Sequence, residues 1–162
     1  MKKKMDSDDE SSDYESQYSM GLISKVDENL YVTDVCGANN LHELKRLGIK
    51  RIVAIGDWSE QVCYKKFGGI EYLPIVIDDS EHEDISIYFN STNDFIVNSP
   101  GPVLVHCWAG ISRSVTIAIA HLMISKGKSY LSAFYQIQKV RPFIKPNIGF
   151  IDALGKLETL PK

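Results

Sequence analysis

No stretch of this 162-residue chain approaches the ~20 consecutive apolar residues that a membrane-spanning helix needs. The longest apolar run, Val115 to Ile124, contains His121 and reads as a buried core helix, with His121 a satisfied core histidine. An apolar leader is also missing: Lys2-Lys3-Lys4 is followed by acidic residues, so no secretory signal is expected, and Lys2 excludes N-myristoylation. Cysteine is scarce. The three cysteines, Cys36, Cys63 and Cys107, show no paired spacing, which argues against a disulfide framework and for a reducing compartment, cytoplasm or nucleus. Cys36 and Cys63 are expected to be buried apolar residues. Excess positive charge is lacking too. Residues 1–19 hold three lysines and six acidic residues, and residues 20–162 hold fifteen of each sign, which disfavours sequence-independent nucleic-acid binding. His42, His82 and His121 are scattered, so no metal site is expected. No internal repeat is visible.

What is present suffices for one core: 44% of the residues are hydrophobic. Residues 1–19 have no apolar periodicity and read as a disordered acidic tail, with Ser7-Asp8-Asp9-Glu10 and Asp13-Tyr14-Glu15 as acidic contexts for phosphorylation. Residues 20–162 read as one folded domain. Val26 and Leu30-Tyr31-Val32 form a hairpin around Asp27-Glu28-Asn29; Leu41, Leu44 and Leu47 fall at helical spacing and stop at Gly48. Arg51 to Ile55 and Ile70 to Ile77 are strands. Asp78 to Asp84 is an acidic loop, and Asp84 caps a helix carrying Ile85, Tyr88, Phe89, Phe95 and Ile96. Val103 to Val105 is a buried strand, and a helix follows to about Lys126. Ser129 caps another, with Leu131, Phe134, Ile137 and Val140 as its buried stripe. Pro146 or Asn147 starts the last, with Ile148, Ile151 and Leu154 facing the core. The pattern predicts an α/β fold with a central, mostly parallel sheet of about five strands flanked by helices.

The chemistry concentrates between that buried strand and its helix, in His106-Cys107-Trp108-Ala109-Gly110-Ile111-Ser112-Arg113-Ser114. A loop that feeds a helix N-terminus turns its amides toward an anion. A thiol there sits in positive potential, which favours the nucleophilic thiolate. Gly110 lets the backbone turn without a Cβ. Arg113 can hold two phosphoryl oxygens in its fork. Ser114 places a hydroxyl near the sulfur. The parts suit covalent phosphoryl transfer, in which the thiolate attacks phosphorus and water then releases the phosphate. Arg113 and the amides supply the positive charge, so no metal or cofactor is required.

The stretch HCWAGISRSVT resembles the signature loop of cysteine-dependent protein tyrosine phosphatases, closest to their dual-specificity branch. The likeness continues in Leu30-Tyr31-Val32, in IVIDDSEHEDISIYF from Ile75 to Phe89, and in RPFIKPNIGF from Arg141 to Phe150, so it spans roughly residues 21–158. The resemblance implies that residues 20–162 are a phosphatase catalytic domain. It implies that Cys107 is the nucleophile and Arg113 the phosphate clamp, and that Trp108, Ala109, Gly110, Ile111 and Ser112 cradle the phosphate. Ser114 would help the thiolate leave, His106 would tune the thiolate through loop hydrogen bonds, and Asn147 would brace the loop. The leaving oxygen needs a proton. The position of the acid loop offers Asp78 and Asp79, and the distance to Ile87-Tyr88-Phe89 favours Asp79.

By the same resemblance the substrates are phosphorylated proteins. Residues 108–112 lack the lysines that relatives acting on inositol phospholipids carry, and the short chain implies a shallow pocket that admits phosphoserine and phosphothreonine beside phosphotyrosine. A MAP kinase is one such partner to consider, although Lys2-Lys3-Lys4 lacks the spaced apolar pair of a kinase-docking peptide. A monomer without nucleic-acid or membrane partners is expected. The competing readings are a phosphatase of RNA 5′ ends or phosphoinositides, a phosphate-binding pseudophosphatase, and a scaffold recruited through its acidic tail.

Overall fold

The structure is a computed structural model that describes residues 20–161. The tail read over 1–19, with its lysines and phosphorylation contexts, lies outside the described residues.

The runs rich in β-branched residues become one sheet. Its strands are β1 (Ser24–Asp27), β2 (Leu30–Thr33), β3 (Arg51–Gly56), β4 (Glu71–Val76) and β5 (Val103–His106). Their order is β1-β2-β5-β3-β4, with β1 antiparallel to β2 and the other neighbours parallel. The expected α/β sheet is thus observed. β5 lies at its centre, with Val105 beside Val32 on one side and Val53 on the other. Alternation sends Leu104 to the face that holds Tyr31, Leu44 and Ile52, while Val103 and Val105 join the larger core on the opposite face. β4 is an edge strand, where Pro74 costs no ladder bond.

The helices are α1 (Val35–Ala38), α2 (Leu41–Arg46), α3 (Phe89–Val97), α4 (Arg113–Lys126), α5 (Tyr130–Val140) and α6 (Ile148–Thr159). The capping expectations hold. Asp84 accepts from the Ser86 amide ahead of a 3-10 turn, Ile85–Tyr88, that leads into α3; Ser129 caps α5, Asn147 caps α6, and Gly127 ends α4. α4 is the central helix: every residue from Arg113 to Met123 is buried. His121 is satisfied there as expected, its Nδ1 2.9 Å from Asn93 Oδ1.

Two stripes differ from expectation. On α5 Leu131 and Val140 are 57% and 45% exposed, and Ala133 and Ile137 are the buried pair. On α6 Ile148 and Ile151 are exposed, and Phe150 and Leu154 are buried. Repeated steps of three residues drift around a helix of 3.6 residues per turn, so Leu131 and Val140 stand half a turn apart; the pairs four apart keep to one face. Cys36 and Cys63, expected inside, are both exposed. α1 turns Gly37 and Ala38 inward and leaves Cys36 outside, and Cys63 follows a surface turn. Among the described residues no helix is long and apolar enough to cross a membrane.

Candidate active site

β5 ends at His106 and α4 begins at Arg113, so residues 107–112 form the loop between the centre of the sheet and the central helix. Three of its carbonyls are taken by donors outside the loop. Trp108 O accepts from the Val35 amide (3.1 Å), Ile111 O from the Lys145 amide (2.9 Å) and Gly110 O from Arg141 Nε (2.7 Å). With carbonyls held outward, the amides are left to the inside, and Gly110 N–H donates to Cys107 Sγ at 3.2 Å. Gly110 has a φ of 65°, and a Cβ on it would lie 2.4 Å from Arg141 Nη2 and 2.8 Å from the Thr33 carbonyl. Only glycine fits there.

Cys107 is buried, and its Sγ lies 3.2 Å from Ser114 Oγ. His106 is 2% exposed, with Nδ1 3.3 Å from the Cys107 carbonyl. A carbonyl only accepts, so the ring proton sits on Nδ1, and Nε2 has no partner. Burial lowers the His106 pKa from 6.5 to about 4. The imidazole is therefore neutral near pH 7 and donates into the loop. Trp108 and Ala109 stand at the surface, Ile111 is half-buried, and Ser112 is buried.

Ser112 links the loop to the acid candidate. Its Oγ donates to Asp79 Oδ1 (2.8 Å) and accepts from the Asn147 amide (3.0 Å). Asn147 donates from Nδ2 to the same Asp79 oxygen (2.8 Å) while its Oδ1 caps α6 at the Phe150 amide. Asp79 is thus tied to the loop from two sides; Asp78 has no such tie.

Three residues that sequence reading passed over complete the site. Glu60 grips Arg113, with Nη1 2.6 Å from Oε2 and Nη2 3.1 Å from Oε1; Nη1 also donates to Ile77 O at 3.0 Å. Burial opposes the Arg113 charge, but Glu60, with Cys107 and Asp79, holds its pKa above the ordinary arginine value. Arg113 Nε is buried and has no hydrogen-bond partner among the described residues. A signal for Glu60 was present: Asp57-Trp58-Ser59-Glu60 has capping-box spacing, and Asp57 Oδ1 accepts from Glu60 N while Glu60 Oε2 accepts from Asp57 N. Arg141 is fully buried, and beyond Gly110 O it donates to Leu22 O (2.9 Å) and Ser24 Oγ (3.1 Å). Asp34 caps α1 and accepts from the Gly21 amide, fixing the segment whose next amide, Val35 N, holds Trp108 O. Nothing in the local sequence of Asp34 or Arg141 distinguishes them from surface charges.

The arrangement is an anion cradle: inward amides, a thiol at their focus, a guanidinium with a free Nε, and a carboxylate at the edge. Residues 30–159 match the family of the dual specificity phosphatase catalytic domain. The chain is 33% identical over 138 residues to dual specificity protein phosphatase 1 of Arabidopsis thaliana, covering 83% of this chain and 68% of that protein. It is 37% identical over 146 residues to dual specificity protein phosphatase 1-A of Xenopus laevis, covering 88% of this chain but 38% of that longer protein. Among solved structures it superposes on the human tyrosine phosphatase-like serine/threonine/tyrosine-interacting protein with a TM-score of 0.80 at 34% identity, covering 84% of this chain and 95% of that one. A match that runs from β2 to the end of α6 takes in the whole cradle and its supports: the chain belongs to the dual specificity phosphatases of the cysteine-dependent protein tyrosine phosphatase superfamily.

Proposed function

We propose that this protein hydrolyses phosphate monoesters on proteins, phosphotyrosine together with phosphoserine and phosphothreonine, through a cysteinyl-phosphate intermediate. Cys107 thiolate attacks phosphorus. The ester oxygen leaves as the free hydroxyl, taking a proton from Asp79. Water then attacks the cysteinyl-phosphate and gives a proton back to Asp79, releasing phosphate and the thiolate. The loop amides and Arg113 carry the charge that grows on the phosphoryl oxygens.

The observation that carries this reading is the free edge of Arg113. Glu60 and Ile77 O occupy its Nη groups, and its Nε remains a buried donor without a partner among the described residues, next to a loop whose Gly110 amide points at Cys107 Sγ. A buried unpaired donor is costly, and a phosphoryl oxygen is the acceptor that would relieve it. Ser114 Oγ at 3.2 Å is placed to stabilise the departing thiolate. The neutral loop surface over 108–112 suits a single phosphate on a protein. Residues 20–162 act as the catalytic domain, as a monomer, on phosphoproteins of the cytoplasm or nucleus.

The deciding experiment is substitution of the nucleophile. Cys107→Ser should abolish aryl phosphate turnover while leaving phosphopeptide binding within a few-fold of the original protein. Turnover near the original rate in that variant overturns the mechanism. If the unaltered protein binds phosphopeptides but fails to hydrolyse any aryl phosphate, the cradle is a phosphate-binding module. A strong preference for RNA 5′ ends or phosphoinositides over phosphopeptides overturns the substrate assignment.

A further inference from the structure

Both tryptophans of the chain, Trp58 and Trp108, are exposed, at 80% and 48%. Trp108 follows the nucleophile directly. Trp58 stands two residues before Glu60, the residue that grips Arg113, and Val62, 84% exposed, ends the same short turn, Glu60–Val62. Large apolar side chains this open are ordinary when scattered, but these three are carried by the two segments that hold the reacting groups.

The turn that carries Trp58 and Val62 is firmly pinned. Asp57 Oδ1 accepts from Ser59 N (2.7 Å), Ser59 Oγ (2.6 Å) and Glu60 N (2.9 Å). Gln61 Nε2 donates to Gly56 O (3.2 Å) and Ile75 O (3.0 Å), tying the turn to β3 and β4. Glu60 ties it to Arg113. An apolar group held out on a rigid support has lost its ordering entropy before any ligand arrives, which is the arrangement a binding surface needs. Charge narrows the ligand. Residues 108–112 carry no cation, and Asp57, Asp78 and Asp79 place carboxyl groups on the segments beside them. Further phosphates or acidic residues would find no cation on residues 108–112, whereas apolar neighbours of the phosphoryl group would gain contact with Trp108.

We propose that Trp58 and Val62, with Trp108, form a contact surface for apolar side chains flanking the phosphorylated residue of a protein substrate. The inference rests on the reading of the Cys107 loop as the phosphate cradle, and adds the sequence class that the cradle prefers. Tryptophan is the side chain most often found at the energetic centre of such contacts.

The test uses two phosphotyrosyl peptides, one with leucine and phenylalanine around the phosphotyrosine and one with serine and glycine there. The full chain should turn over the apolar peptide with a kcat/KM about 10-fold higher. The double variant Trp58→Ala/Val62→Ser should remove that preference while a small aryl phosphate is hydrolysed within about 2-fold of the original rate. Equal rates on the two peptides overturn the proposal. So does a uniform loss on both peptides and the aryl phosphate, which would mean that the turn only supports Glu60. Loss of self-association in the double variant, seen by sedimentation, also overturns it, because the patch then serves a second copy of the chain. Binding is read separately in Cys107→Ser protein by tryptophan emission, since both tryptophans report from this surface. A shift with the apolar phosphopeptide that is weaker in Cys107→Ser/Trp58→Ala supports the surface even if the unaltered protein proves inert, so failure of hydrolysis and failure of this inference are distinguishable.

Discussion

Arg113 and Glu60 show how one buried pair can set the geometry of a candidate site. Arg113 is the first residue of α4, and its side chain is 7% exposed. A guanidinium so placed needs an acceptor or it forfeits several kcal/mol of hydration. Glu60 supplies two oxygens, and Ile77 O supplies a third acceptor. These contacts spend the Nη edge and fix the plane of the fork, so that Nε is presented without having to be found by rotation. Glu60→Gln keeps the shape and one acceptor but removes the charge. The expected result is a loss of about 10-fold in kcat/KM toward an aryl phosphate, together with about 1–3 kcal/mol of stability in urea unfolding, the cost of a charged group left poorly paired. Activity and stability both equal to the original protein would show that the pair is incidental. The glutamate also illustrates a limit of sequence reading. Cys107, Arg113 and Ser114 were legible because the loop keeps them within eight residues, whereas Glu60 is 53 residues from its partner and meets it only when β3 and β5 pair.

At the scale of elements, the acid loop is positioned by the start of α6. Asp79 is tied to Asn147, the cap of α6, and to Ser112. Two residues on, the Glu81 backbone packs against Gly149: a Cβ there would lie 2.2 Å from Glu81 O and 2.8 Å from Glu81 C. Gly149→Ala must therefore push the loop and helix apart and draw Asp79 from the cradle. Turnover of phenyl phosphate should fall roughly 10-fold, with a much smaller loss for an activated nitrophenyl ester, because only the poor leaving group needs the proton. Asp79→Ala should exaggerate the same contrast to about 100-fold. A larger contrast from Asp78→Ala reassigns the acid, and equal losses on both esters assign Gly149 to stability alone. The elements themselves were largely readable. β5 and α4 announce themselves because β5 is buried throughout and α4 from Arg113 to Met123, so few polar residues interrupt their apolar runs. α5 and α6 lie at the surface and keep only a narrow buried face, so of the residues taken at a spacing of three Ile137 and Leu154 are buried while Leu131, Val140, Ile148 and Ile151 are exposed; Ala133 and Phe150, four residues before the buried pair, complete the packed faces. α1 offers four residues with no stripe at all, and nothing in the sequence points to it; its Asp34 cap is evident only in the structure.

For the whole molecule, the site and the core are one object, because the cradle grows from the central strand into the central helix. His106 ties them together: it is the last residue of β5, it is buried, and it donates to the carbonyl of Cys107. Burial lowers its pKa from 6.5 to about 4. The sign of the consequence follows from proton uptake. Below about pH 6.5 the unfolded chain binds a proton at this histidine and the folded chain does not, so protons favour unfolding. Stability is full above about pH 6.5, declines as the pH falls, and levels off near pH 4, having lost about 3 kcal/mol. Carboxylates contribute in the lower part of that window, so the histidine is isolated by difference. His106→Asn keeps a side-chain donor and removes the titration. The variant is expected to be less stable than the original protein at pH 7, since it loses ring packing against Tyr64, 5.3 Å away between centroids, and that gap should close by about 3 kcal/mol as the pH is lowered from 7 to 4. Urea midpoints at half-unit steps of pH measure it. Parallel curves for the two proteins would mean that His106 takes up its proton in the folded chain as readily as in the unfolded one, and the neutral donor assigned to the loop would fall with the prediction.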